Sequence, residues 1–258
     1  MFSNFVYQKY IKMLITKNIK MADLILQNHH LLSVINRFGI QLGFGDKSVS
    51  EVCKMYEVNV DFFLEIVNAF NDPSFHPTDR LQNFPLSLTV NYLLKTHDYY
   101  LNNKIPEIER LIDEMSEDSP ASMSEIMSII RNFFNEYKTQ LTIHIRREEE
   151  KVYPYILRVE KLYLLVAKDD DSVNEEVKNY RIEKYVDEHD NIEDKLFDLK
   201  NILIKYLPPF ENYKICYKIL GQIDHLERDI NDHSAMEEKV LVPRVQYMEQ
   251  VLKSQEIK

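Results

Sequence analysis

The chain has 258 residues, 32 Lys+Arg against 42 Asp+Glu and a formal net charge of −10. Hydrophobic residues make up 45%, with only 4 Gly and 9 Pro, so the turn-rich all-β folds are disfavoured and an all-α fold is expected. An acidic balance disfavours a nucleic-acid backbone as the main partner, because phosphate binding needs a basic surface, and leaves one local basic patch open. No uncharged apolar run reaches the ~18–20 residues of a membrane span. Cys53 and Cys216 are too few for a disulfide framework and fit a reducing, cytoplasmic setting.

Residues 1–20 scatter Lys9, Lys12, Lys17 and Lys20 among apolar positions and do not read as a signal peptide; translation starts at Met1 or Met21. A helix is expected over Ala22–Phe38, with Gly39 as its C-terminal stop. Ser48 and Glu51 form a capping-box pattern that opens a helix through Tyr56. Another helix is expected over Asp61–Phe70, where Phe62, Phe63, Ile66 and Phe70 offer apolar surface to a second copy of the chain or to the rest of it. Residues 1–75 thus read as a small helical N-terminal module, with Asn71–Pro85 as a proline-rich linker.

Four long helical runs follow over residues 86–252. They are expected at Leu86–Met115, Met123–Val159, Val173–Tyr206 and Glu211–Leu252. Ser122/Glu125 and Ser172/Glu175 are further capping-box patterns, and Pro154 and Pro243 are expected to end or kink their helices. Long helices with short connections imply an antiparallel four-helix bundle.

The second run reads HIRREEEKVYP and the fourth HSAMEEKVLVP. Each is His-x-x-x-Glu-Glu with Pro ten residues after the His, and the copies lie 89 residues apart. The first and third runs carry a lone histidine each, His97 and His189, 92 residues apart. Positions i and i+4 share one helix face, so His144 with Glu148, and His233 with Glu237, can each grip an ion. All four histidines sit in apolar stripes and are expected to face the core. Buried carboxylates are costly unless paired or bound to metal. Imidazole and carboxylate donors without thiolate suit iron, manganese or zinc. Six donors exceed one tetrahedral ion and fit two, with Glu148 and Glu237 bridging and an oxide or hydroxide completing five-coordination. That leaves an open position for a small molecule.

The bland alternative is that each histidine merely packs, or that each His/Glu pair is a solvated i,i+4 contact. Duplication of the motif, in register with the proline, argues against coincidence. Glu149 and Glu238 turn away from the core face, towards solvent or hydrogen bonds behind the ligands. Glu193 is open between an extra ligand, a hydrogen-bond acceptor and a surface acid, and Glu188 between a proton relay and a solvated side chain. Tyr100 or Tyr185 could line the pocket. His225 has polar neighbours, and His29, His30 and His76 have no matched partner.

The pattern His97, His144-x-x-x-Glu148, His189, His233-x-x-x-Glu237, with its EEEKVYP and EEKVLVP tails, resembles a hemerythrin-like (HHE) domain. The stretch LLSVINRFGIQLGFGDKSVSEVCKMY resembles the short module that precedes such a domain in the bacterial di-iron "repair of iron centres" proteins. The resemblance implies a non-haem di-iron protein of nitric oxide and oxidative stress that helps restore damaged iron–sulfur proteins. It implies His97, His144, Glu148, His189, His233 and Glu237 as iron ligands, and nitric oxide or dioxygen as the small ligand. The alternative is a sensor or carrier that binds dioxygen or nitric oxide reversibly without turnover. Proteins of the repair family typically carry a Cys-Cys pair after the Gly-Ile of the module; here Gln41 and Leu42 follow Gly39-Ile40. The module is then left with dimerisation or partner docking.

Overall fold

The computed structural model describes residues 14–71, 78–166, 181–183, 185 and 192–255. Among these residues the protein is helical, with one isolated antiparallel bridge between Lys20 and Ser48 and no strand. The chain divides into two compact units, Met1–Phe84 and Pro85–Lys258.

In the first unit the expected single helix over Ala22–Phe38 is two, α1 (Met21–Gln27) and α2 (Leu31–Arg37). Asn28 breaks it: its backbone is extended, and its Oδ1 accepts the His30 amide at 3.1 Å. A short polar side chain that bonds nearby backbone competes with the helical ladder. Gly39 ends α2 as expected. At φ +73° it lets its own amide reach the Asn36 carbonyl and that of Ile40 reach the Ile35 carbonyl, which is the Schellman pattern. The Ser48–Glu51 capping box forms at the start of α3 (Val49–Met55). Asn59 Oδ1 accepts the Phe62 amide at 3.0 Å as α4 (Val60–Asn71) begins. On α4, Phe62 and Phe63 are buried and lie edge-on to Phe38. A short α5 (Thr78–Leu81) lies within the expected linker.

The second unit holds the bundle. Its first rod is α6 (Leu86–Tyr99) and α7 (Ile105–Glu117); its second is α8 (Ser124–Arg147) and α9 (Tyr153–Val166). Of the third, α10 (Ile192–Lys205) is described; the fourth is α11 (Tyr213–Met236) and α12 (Val242–Gln255). α7 packs on α8 and α11, α6 on α9, and α10 on α8 and α11, so consecutive rods run antiparallel, as do the first and fourth; α9 and α12, which run in the same direction, also pack together. The all-α antiparallel bundle is therefore present. The Ser122–Glu125 box does not form: a 3-10 turn over Ala121–Met123 precedes α8, whose N-cap, Met123, makes no side-chain cap. The Ser172–Glu175 box lies outside the described residues.

Pro154 and Pro243 do not end their helices. A π-helical turn precedes each, at Glu148–Val152 and Glu237–Leu241, and the rod continues as α9 or α12. A third π-turn, Tyr100–Lys104, lies between α6 and α7 and is followed by Pro106. In each case the amide of the residue just before the proline (Ile105, Tyr153 or Val242) bonds the carbonyl five residues back. The wider ring makes room for a residue that lacks an amide donor and would clash with the carbonyl four back. Pro106 is thus a third copy of a device that the sequence shows twice in register.

Below the π-turns, a core of Ile108, Ile112, Phe134, Tyr137, Leu199, Ile219 and Ile223 joins α7, α8, α10 and α11. Full burial of each aliphatic side chain contributes about 1.5–3 kcal/mol. The π-turns place the candidate site at the upper edge of this packed layer.

Candidate metal centre

His97 stands in the last turn of α6, His144 in the last turn of α8 and His233 in the last turn of α11. Glu148 and Glu237 open the π-turns that follow α8 and α11. His97 is 1% exposed, Glu148 0% and Glu237 1%. A nitrogen or carboxylate oxygen from each of His97, Glu148 and His233 lies within 4.8 Å of the others. Nε2 of His97 and Nε2 of His233 are 3.2 Å apart, and Nε2 of His97 is 3.2 Å from Oε2 of Glu148. His144 Nε2 meets Glu148 Oε1 at 2.9 Å, and His233 Nε2 lies 3.5 Å from Glu237 Oε2. The two i,i+4 pairs and His97 are therefore brought together. His189 lies outside the described residues, as do Glu188, His76 and the side chain of Glu193.

This donor set fits a cation. Two imidazole nitrogens aimed at one another cannot both present lone pairs without a proton or a metal between them. Oε2 of Glu148 is buried and, among the described residues, makes no hydrogen bond despite its approach to His97. A buried carboxylate oxygen left so is costly unless an ion meets it. The charge balance points the same way. Burial pushes the His97 imidazolium towards deprotonation, but Glu148 and Glu149, with the charge of Glu237 beyond, overcome this and hold its pKa up at about 9. Burial likewise pushes Glu148 up, and His144 and His97 bring it well below the usual carboxylate range. The cluster favours positive charge at its centre, and metal ions supply it without protons.

Two phenols complete the pocket. Tyr153, the first residue of α9, donates to Glu237 Oε1 at 2.6 Å and stacks on His97, with ring centroids 5.5 Å apart. Tyr185 OH lies 2.7 Å from Glu148 Oε1 and 3.0 Å from Glu237 Oε2. It has one proton, so it donates to one carboxylate at a time. Burial, then the charges of Glu237 and Glu148, raise both phenols well above their usual pKa and keep them as donors. Tyr100 lies edge-on to His233, 6.0 Å between centroids.

Sequence reasoning reached Tyr100 and Tyr185 but missed Tyr153. Five residues beyond Glu148, an α-helix would carry Tyr153 about 140° away round the axis. The π-turn returns it to the core. The signal in the sequence was the proline directly after it, repeated at Pro106 and Pro243. Glu149 was expected to turn from the core, towards solvent or a bond behind a ligand; its Oε1 lies 3.0 Å from Nδ1 of His97. Glu238 is exposed.

No helix among the described residues is long and apolar enough to cross a membrane. The family model of the hemerythrin HHE cation-binding domain matches residues 89–245. No curated protein matches the chain.

Proposed function

The chain belongs to the hemerythrin HHE cation-binding domain family, and on that premise we propose that it is a non-haem di-iron protein of the nitric oxide and oxidative stress response that contributes to the repair of damaged iron–sulfur clusters. The observation that carries the metal reading is Glu148. It is a fully buried carboxylate with one oxygen lacking a hydrogen bond among the described residues, facing the opposed Nε2 atoms of His97 and His233. His144, Glu237 and His189 are proposed to complete the set of residues that would hold the metal. Imidazole and carboxylate donors without thiolate suit iron. Two ferrous ions would supply electrons and an open coordination position to a small gas.

The chain's own residues do the rest. Each His-x-x-x-Glu pair presents its donors one turn apart from a rigid rod, which fixes their separation before any ion arrives. Tyr153 and Tyr185 hydrogen-bond the two carboxylates and limit their swing. The packed layer beneath, from Ile108 to Ile223, keeps bulk water from that side. The cluster-repair part of the reading is supported by the likeness of residues 31–56 to the module that precedes this domain in repair proteins. In this chain the module has no paired thiols, so transfer of iron or electrons to a damaged cluster is assigned to the bundle.

The test uses protein purified without oxygen. Two irons per chain are expected, together with recovery of a nitrosylated iron–sulfur enzyme when the protein is added, and loss of both in Glu148→Ala and Glu237→Ala. Recovery unaffected by either substitution rejects the repair role. A clean, reversible dioxygen or nitric oxide adduct, with no product and no recovery, would identify a carrier or sensor instead. Protein that binds less than about one metal per chain and is indifferent to chelator would leave the histidines as packing residues only.

A further inference from the structure

Glu149 is one residue beyond the buried Glu148, and its side chain is 40% exposed. From the rim of the bundle its Oε1 nevertheless reaches Nδ1 of His97, on a different rod, at 3.0 Å. His97 is 1% exposed, and its other nitrogen, Nε2, is the atom that faces Glu148 and His233. The ring therefore has one nitrogen on a carboxylate at the surface and the other in the donor cluster. Its plane is held by Tyr153, stacked at an interplanar angle of 13°.

We propose that Glu149 is the positioning residue of His97: its carboxylate accepts the Nδ1 hydrogen, selects the tautomer that leaves the Nε2 lone pair for metal, and sets the electron-donating strength of that nitrogen. This rests on the metal reading above. A neutral imidazole has one N–H and one lone pair, and the partner of one nitrogen decides which is which. Without Glu149 the N–H is free to sit on Nε2, where it would block ligation. A carboxylate on Nδ1 also raises the basicity of Nε2 and so favours the more oxidised metal. Glu150, the next residue, is exposed and lies 4.0 Å from Arg146. It carries the same charge close by without touching His97, and serves as the control.

The experiment compares the full chain with Glu149→Gln and Glu150→Gln. Ferrous and zinc affinities are measured by chelator competition without oxygen, and the midpoint potential of the iron-loaded protein by redox titration. Gln replaces one oxygen at a side chain open to solvent, and circular dichroism of the metal-free chains checks that folding is intact. Glu149→Gln is expected to bind both metals about 10–100-fold more weakly and to shift the midpoint potential upwards, whereas Glu150→Gln stays within about twofold of the unsubstituted chain. Unchanged affinity and potential in Glu149→Gln overturn the proposal, as does an equal change in Glu150→Gln, which would show loss of charge alone. An unsubstituted chain that takes up no metal sinks the parent reading and this one together. Metal uptake with an insensitive Glu149→Gln sinks the positioning role only.

Discussion

Tyr153 donates its phenolic hydrogen to Oε1 of Glu237 across 2.6 Å and 84 residues of sequence, joining the second rod of the bundle to the fourth inside the candidate site. Tyr153 is turned inward by the π-turn over Glu148–Val152, and Glu237 opens the π-turn over Glu237–Leu241. The two interruptions are thus coupled through one hydrogen bond.

Tyr153→Phe removes that donor and keeps the ring that stacks on His97. A buried acceptor left unpaired costs about 1–3 kcal/mol. Metal-free Tyr153→Phe is expected to unfold at lower urea with an unchanged m-value, a loss within that range. It should still bind iron, more weakly. A midpoint equal to that of the unsubstituted chain would show that the bond contributes nothing.

Metal removal has a defined sign. Ions that bind the folded bundle and not the unfolded chain stabilise it, by about 2.7 kcal/mol when free metal exceeds Kd a hundredfold. Chelation is expected to lower the melting temperature of the bundle, and Glu148→Gln to abolish the difference between chelated and metal-replete samples. Calorimetry with and without chelator checks both, and identical melting curves for the unsubstituted chain refute the site.

Glu160, on α9, accepts the backbone amide of Leu86 at 2.7 Å and lies 3.9 Å from Arg244 on α12. It therefore satisfies one of the free amides at the start of α6 from another rod. Glu160→Ala is expected to cost the second unit about 1–3 kcal/mol in denaturant unfolding. Iron content per folded chain should be unchanged, because among the described residues its polar partners are the Leu86 amide and Arg244 rather than the metal-site donors. Loss of iron in the folded variant would mean that the start of α6 controls His97.

Cys53 is fully buried on α3, and burial pushes its thiol up to about 12. The folded protein is expected to resist thiol reagents at pH 8 and to react on unfolding, because the thiolate is the nucleophile. Raised above the unfolded value near 8.5, this group contributes stability that is complete below about pH 8.5 and is lost as pH climbs towards 12. Cys53→Ala should flatten that alkaline decline in the first unit. Rapid labelling of native protein at Cys53 would contradict the burial.

Much of the fold was legible because helices write a periodic pattern. The first, second and fourth rods, the Gly39 stop and the Ser48–Glu51 box follow from local rules and appear as expected, and of the third rod Ile192–Lys205 is described. Asn28 shows where such rules compete: the apolar pattern runs through it, and its side chain's bond to the His30 amide wins. Ser122–Glu125 shows the reverse, a capping pattern passed over because α8 begins after a 3-10 turn. Pro154 and Pro243 signal an end or a kink; the outcome is an interruption, a π-turn before each that carries the rod onward.

By itself the sequence determined that two His-x-x-x-Glu pairs and His97 lie on apolar faces of helical rods, since spacing along one helix is fixed by its pitch. Only the tertiary structure decided which atoms meet. The 3.2 Å between the imidazoles of His97 and His233, the phenol of Tyr153 on Glu237 and the reach of Glu149 to His97 all cross between rods. No periodicity within one rod encodes the rotation and height at which it packs on another; those are set by how side chains from several rods fill the same space.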